Sequence, residues 1–291
     1  MTVVDERNSA SARRPAIVSF EIASPAFADR FDDQADLAIE GGAVVCSDTA
    51  ERRHAGDVLP HANYNDEVDP AVAETVAKLV DTTRVVELEK IDPDELPKRY
   101  LYRFAKRVFD IASCSCALVV CAIPMAVIAY KIKKDSPGPV FYKQERLGLG
   151  GRPITIVKFR SMYVDAEERG AQWAEGDDPR VTPIGKKIRA NRLDELPQFW
   201  SVVKGDLSLI GPRPERAVFY GEFEKYIHGF SQRMMVKPGI TGLAQVNGGY
   251  DLLPEEKIVF DLKYIKDCSF ALDWELICKT IRVLFTHEGA R

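Results

Sequence analysis

Histidine is scarce in this chain, with four in 291 residues, dispersed as His54, His61, His228 and His287. Cysteine is little commoner. Of the six, Cys114, Cys116 and Cys121 share one apolar run, Cys46, Cys268 and Cys278 are scattered, and no CxxC occurs. That spacing argues against a structural zinc site or a disulfide framework and fits reduced thiols facing a cytoplasm. The first thirty residues hold no apolar h-region, so no signal peptide is expected. Internal repeats are missing. So is a dense basic stripe, because Lys and Arg are interleaved with apolar runs, and nucleic acid is not an expected partner.

Charge is abundant but unevenly placed. The formal net charge is -4, yet residues 1–98 hold 10 Lys and Arg against 21 Asp and Glu, and residues 99–291 hold 30 against 23. An acidic arm followed by a basic body implies that the body meets anions, either phosphates or an anionic membrane surface. Residues 1–98 therefore read as an acidic N-terminal arm or accessory module. Within it, 1–15 read as disordered, AIVSFEIA and LAIEGGAVV as short β-like runs, and Asp69-Pro70 as a helix start. The arm ends in IDPDELP, whose Asp92 and Asp94 form a DxD. A metal–nucleotide site of that kind needs a glycine-rich βαβ turn upstream, and the arm offers none in the right place. Both aspartates are expected to start a helix instead.

From Ile111 to Tyr130, twenty residues carry no charge. As a helix they would be roughly 30 Å long, about one bilayer core. Pro124 interrupts the run, removing a backbone donor and bending the helix. Basic residues flank both ends: Arg99, Arg103, Lys106 and Arg107 before it, Lys131, Lys133 and Lys134 after. A spanning helix shows that bias on one side only. Two basic ends suit a kinked, re-entrant helix over 99–134, with a straight span and a buried core helix as the alternatives.

Residues 135–291 read as a cytoplasmic domain. VFYKQERLG and TIVKFRSM are predicted strands joined by GLGGRP, residues 164–173 a polar helix, and Thr182-Pro183 the start of another. Near the C-terminus Trp274, Ile277, Ile281, Leu284 and Phe285 recur at helical spacing, which fits a core helix or an interfacial one. In KFRSM, Lys158 and Arg160 fall on one face of a strand by the period of two. Arg213 stands between Pro212 and Pro214, which favour an extended backbone and a rigidly held guanidinium suited to phosphate. The second DELP places Asp194 and Glu195 about 100° apart on a helix, able to address two neighbouring targets but not one. Leu196 precedes proline and is expected outside helical geometry, with a helix starting at Pro197. Its dipole would favour ionised carboxylates, and an ionised aspartate is a competent nucleophile. Spacing alone favours a plain helix start here.

The ordered set DSPGPVFYKQERLG, KFRSM, DPRVTPIGKKIRANRLDELPQFW, KGDLSLIGPRPE and KPGITGLAQVNG, following an apolar segment with a central proline, resembles the bacterial sugar transferases. These are monotopic polyprenyl-phosphate phosphoglycosyl transferases. The resemblance covers about residues 99–291. It implies an α+β fold: a membrane-associated monotopic domain with a kinked re-entrant helix, amphipathic interfacial helices and a small β-hairpin. It also implies transfer of a sugar-1-phosphate from a UDP-sugar to undecaprenyl phosphate at the inner leaflet of the bacterial cytoplasmic membrane, with Mg²⁺ as cofactor. On this resemblance Asp194 is the nucleophile and Glu195 helps hold Mg²⁺. Lys158, Arg189 and Arg213 bind substrate, with Arg160 a further substrate-binding candidate from its place on the strand face of Lys158; Pro124 bends the membrane helix, and the C-terminal helix is interfacial. A homo-oligomer stays open, as does the identity of the sugar. Two positions depart from relatives: Ile123 stands where many have serine before Pro124, and Gly249 where arginine often follows Asn-Gly.

Overall fold

The computed structural model describes residues 45–47, 70–93, 96, 99–166, 178–249 and 252–286. Residues 1–15, AIVSFEIA, most of LAIEGGAVV, the pair Asp94-Glu95 and residues 167–173 lie outside them. The described residues form an α+β fold in which helices outnumber short strands.

Helix α1 (Pro70–Ala77) opens with proline at its first position, where a missing N–H costs nothing. Its Val72 and Val76, one turn apart, are fully buried against Phe219, Tyr220, Phe223, Phe230 and Ile258. Burying each valine stabilises the fold by about 1.5–3 kcal/mol. Strand β1 (Val45–Ser47) pairs antiparallel with β2 (Val85–Glu87). Farther along the chain, β6 (Ile227–His228) runs parallel to β2 on its other edge. Residues 70–91 thus share the largest core, and the accessory-module boundary expected at residue 98 does not divide the packing. Val72, Val76, Val80 and Ile91 are what bind this segment in, because they cover aromatic side chains from the body. Residues 94, 95, 97 and 98 after Asp92 lie outside the described residues, and the next described helix starts at Tyr100.

The apolar segment forms two helices, α2 (Tyr100–Val120) and α3 (Ala122–Asp135), bent by 60° across Cys121. The bend lies one turn before Pro124, whose ring cannot supply the N–H that the Val120 carbonyl would otherwise accept in a continuous helix. No single helix among the described residues is long and apolar enough to cross a membrane, whereas this bent pair reaches the required length and composition. Both limbs return to the same body. On α2, Arg107 donates to the carbonyls of Val202 (2.6 Å) and Val203 (2.8 Å). Buried Asp110 accepts from Ser208 Oγ at 2.8 Å. On α3, Ile128 and Ile132 are buried with Phe159 and Ile188. Between these anchors the tip is bare: Val119 and Ile123 are each 77% exposed.

Strands β3 (Phe141–Leu147) and β4 (Pro153–Phe159) make the expected hairpin, in antiparallel register from Phe141↔Phe159 to Leu147↔Pro153. Gly150 at φ 65° and Gly151 at φ 75° supply the left-handed backbone its turn requires. Residues 164–166 form a turn. Helix α4 (Pro183–Ala190) is capped by Thr182, whose hydroxyl accepts from Gly185 N at 3.0 Å. After a 3-10 turn (Leu193–Glu195) come α5 (Gln198–Lys204) and β5 (Ser208–Ile210). Next follow α6 (Ala217–Glu224), β6 and a 3-10 helix (Phe230–Met235). Strand β7 (Gly239–Thr241) pairs parallel with β5 and leads to the short α7 (Leu243–Val246). Helices α8 (Pro254–Asp267) and α9 (Phe270–Thr286) complete the body. On α9, Leu276 and Asp273 face inward while Trp274 and Ile281 are exposed.

Candidate active site

The 3-10 turn that carries Asp194 and Glu195 is set by the residues around it. Arg192, at φ 53° and ψ 20°, is the one non-glycine residue with positive φ among those described. It reverses the chain between α4 and the turn, at a cost of roughly 1–2 kcal/mol for an L-residue. In a 3-10 turn residues three apart eclipse. Leu193 and Leu196 therefore fall on one side, packed against the Phe159, Ile188, Ile128 and Ile132 cluster. The carboxylates are left on the other side. Leu196 is helical (φ −53°, ψ −38°), contrary to its pre-proline expectation. Its burial and the bonds through the turn outweigh the steric preference, since Phe199 N donates to its carbonyl at 3.2 Å. The chain then runs through Pro197 directly into α5.

A cavity of about 440 Å³ opens over this turn. Nine Lys and Arg side chains line it against two carboxylates, Asp194 and Glu215, so its field is strongly positive. Asp194 is buried, at 9% exposure. Among the described residues no donor is hydrogen-bonded to its carboxyl. Burial, and then the charge of Glu195, push that carboxyl up to about 6, partly opposed by Lys158, Arg189 and Arg213. The expectation that a helix dipole would hold it ionised is thus corrected: α5 has only seven residues, and desolvation dominates.

Glu195 behaves oppositely. Burial raises its carboxyl, but two cations outweigh burial and hold it well below the usual range. Lys158 Nζ lies 3.1 Å from Glu195 Oε1, and the Arg213 guanidinium pairs with the same oxygen. One carboxylate oxygen thus ties β4, the Asp194-Glu195 turn and the proline-flanked 212–214 segment together.

The structure brings Lys158, Arg189, Asp194, Glu195 and Arg213 to one place. Arg160 also lines the cavity, but its guanidinium donates to the carbonyls of Pro137 and Ser136 and to Ser136 Oγ (3.0 Å). It braces the turn after α3 and its reach toward a substrate is limited. Pro124 is remote in sequence and connects to the site through α3 and the shared Ile128–Ile132 cluster. Gly249 lines the cavity at φ 57°, a backbone that an arginine would adopt only with strain.

Sequence reasoning missed Arg146, Glu215, Arg233 and Lys257, which also line the cavity. Arg146 was findable: the hairpin's period of two puts Tyr142, Gln144 and Arg146 on the side that carries Lys158, and Tyr142 pairs with Lys158 in register. Arg146 binds Glu215 at 2.8 Å. Arg233 and Lys257 carry no local signal, and only the folding of the 3-10 helix and α8 brings them in.

No group of three or more His, Cys, Asp or Glu side chains forms a metal cage among the described residues. Magnesium needs less, commonly one or two carboxylates plus substrate phosphates. The second oxygen of Glu195, which makes no hydrogen bond among the described residues, fits one such carboxylate contact.

A helical body with one small hairpin, a bent apolar helix pair and an Asp-Glu pair beneath a basic cavity defines the class: the chain belongs to the bacterial sugar transferase family, whose sequence model matches residues 101–287. It is 46% identical over 194 residues to a UDP-N-acetylgalactosamine-undecaprenyl-phosphate N-acetylgalactosaminephosphotransferase of Aeromonas hydrophila, covering 66% of this chain and 46% of that one. It is 38% identical over 201 residues to the UDP-glucose:undecaprenyl-phosphate glucose-1-phosphate transferase of Escherichia coli, covering 67% and 43%. A putative undecaprenyl-phosphate N-acetylgalactosaminyl 1-phosphate transferase of Bacillus subtilis is 49% identical over 151 residues, 52% of this chain and 83% of that one. The match therefore spans less than half the length of the first two relatives and most of the third.

Proposed function

We propose that this chain transfers a sugar-1-phosphate from a UDP-sugar to undecaprenyl phosphate, in two displacements at Asp194. In the first, a carboxylate oxygen of Asp194 attacks the sugar-proximal phosphorus. The P–O bond to the other phosphate breaks, UMP leaves with that electron pair, and the phosphosugar stays on the aspartate. In the second, an oxygen of the lipid phosphate attacks the same phosphorus, which releases the carboxylate and yields undecaprenyl-diphosphate sugar. The observation that carries this reading is the division of labour between adjacent carboxylates. Glu195 is pinned by Lys158 and Arg213, whereas Asp194 faces the cavity without a hydrogen-bonded donor. Water is largely kept from Asp194, which sharpens its nucleophilicity once ionised. Lys158, Arg189 and Arg213 are placed to counter the charge on the phosphoryl oxygens. Mg²⁺, when bound with the diphosphate, would neutralise part of that charge, with Glu195 the residue able to help hold it.

The acceptor is a lipid, so the body must sit at a bilayer. We infer that the bent pair enters the cytoplasmic leaflet and returns, which is supported by both limbs being fastened to one body with an apolar tip between them. Exposed Trp274 and Ile281 on α9 fit the headgroup region. The test is nucleotide release from a panel of UDP-sugars with undecaprenyl phosphate and Mg²⁺. UMP is expected. Release of UDP instead would mean transfer of the sugar alone and overturn the reading, as would turnover by Asp194→Asn.

A further inference from the structure

The family match begins at residue 101, yet one wall of the cavity is held from outside it. Between α6 and the 3-10 helix, successive residues are each fastened. Glu224 accepts from Gly229 N (2.6 Å), Ser231 N (2.9 Å) and Ser231 Oγ (2.8 Å). Gln232, 2% exposed, follows. Its Oε1 accepts from Ile91 N at 2.6 Å and its Nε2 donates to the Glu89 carbonyl at 3.1 Å. Next comes Arg233, which pairs with Asp261 at 2.5 Å and lies 4.9 Å from the Phe230 ring centroid. Arg233 lines the cavity, and so does Phe219. Phe219 and Phe230 belong to the core that Val72, Val76 and Ile91 complete. Two ion pairs tie the same segment to α8, which carries Lys257 and Asp261: Arg84 to Glu255 (3.0 Å) and Lys266 to Glu89 (2.8 Å).

Among the described residues the Gln232 side-chain amide has no partner from the family region; both partners come from residues 89 and 91. A side chain one residue from a cavity-lining arginine is therefore locked by a segment that the family match leaves out. We propose that residues 70–91 are a positioning element of the active site: through Gln232 they hold Arg233 in the cavity wall, where its charge faces the anionic nucleotide end of the donor. Gln232 is a positioning residue, and Arg233, buried and paired with Asp261, acts on the donor through its charge. This rests on the phosphoglycosyl-transfer reading for the identity of the donor.

Gln232→Met keeps side-chain length and removes both amide bonds. It is expected to raise KM for the UDP-sugar about three- to tenfold while kcat stays within about twofold. It is also expected to weaken UDP binding, measured by calorimetry without turnover, by a similar factor. Leu207→Val, fully buried in the separate core of Cys114 and Val202, is the control for general destabilisation and is expected to lower Tm with KM unchanged. UDP binding by Gln232→Met equal to that of the unmodified chain overturns the proposal, as does an equal KM rise in Leu207→Val at equal Tm loss. UDP binding without turnover in the unmodified chain overturns the functional reading alone. Absence of UDP binding by the unmodified chain overturns both.

Discussion

Burial strips water from the Asp194 carboxyl, and Lys158, Arg189 and Arg213 return only part of that cost. The consequence for stability has a definite sign. The folded-state value of about 6 lies above the ordinary 3.8, so the native state holds this proton more tightly than the unfolded chain. The group's contribution to stability is largest below the ordinary value and is lost as pH rises from about 4 through about 6. At pH 7.5 Asp194→Asn is then expected to stabilise the fold by about 1–3 kcal/mol, seen as a higher Tm, while turnover disappears. In the proposed reaction attack requires the ionised form, so kcat/KM is expected to fall about tenfold per pH unit below pH 6. Glu195→Gln should move that acid limb to lower pH, because it deletes the neighbouring negative charge that helps raise Asp194. The same variant removes the charge that Lys158 and Arg213 share and should lower stability by about 1–3 kcal/mol, read by denaturant unfolding. At Arg192, whose left-handed backbone shapes the turn, Arg192→Val is expected to be about 1–2 kcal/mol less stable than Arg192→Asn, which tolerates positive φ.

Among the elements, α3 couples the apolar tip to the chemistry. Ile128 and Ile132 share a core with Leu193 and Leu196, the two leucines that orient the catalytic turn. Ile132→Ala should cost about 2–5 kcal/mol of stability. It should also lower kcat, since the turn loses its floor, and thermal melts run beside the UMP assay would show both. The hairpin was legible in the sequence because its alternation and the GLGGRP turn are local. The bend was legible because proline acts within one turn of itself. Leu196 was misread for the complementary reason: the pre-proline rule is a local steric preference, and buried contacts with α3 and β4 override it.

For the molecule as a whole, residues 70–91 are part of the body. A chain beginning at residue 92 would uncover Phe219, Phe223 and Phe230, and is expected to lose its cooperative thermal transition and to aggregate on size-exclusion chromatography. Composition had grouped this segment with the acidic arm of residues 1–98, although residues 70–91 themselves hold four Asp and Glu against three Lys and Arg. Charge patterning reports on the solvent-facing side chains, whereas Val72, Val76 and Ile91 decide where the segment packs.

The sequence by itself determined the elements and the candidate pair: proline placed the bend, alternation made the hairpin, and the ordered motifs marked Asp194 and Glu195, all effects acting over a few residues. Tertiary structure decided which carboxylate is pinned and which faces the cavity. Lys158, Arg213 and Glu195 are distant in the chain, and only their convergence on one oxygen separates the two ionisations. The same holds for Arg233 and Lys257, and for the debt of the cavity wall to Glu89 and Ile91. Burial and electrostatics depend on neighbours in space, and the chain order does not name them.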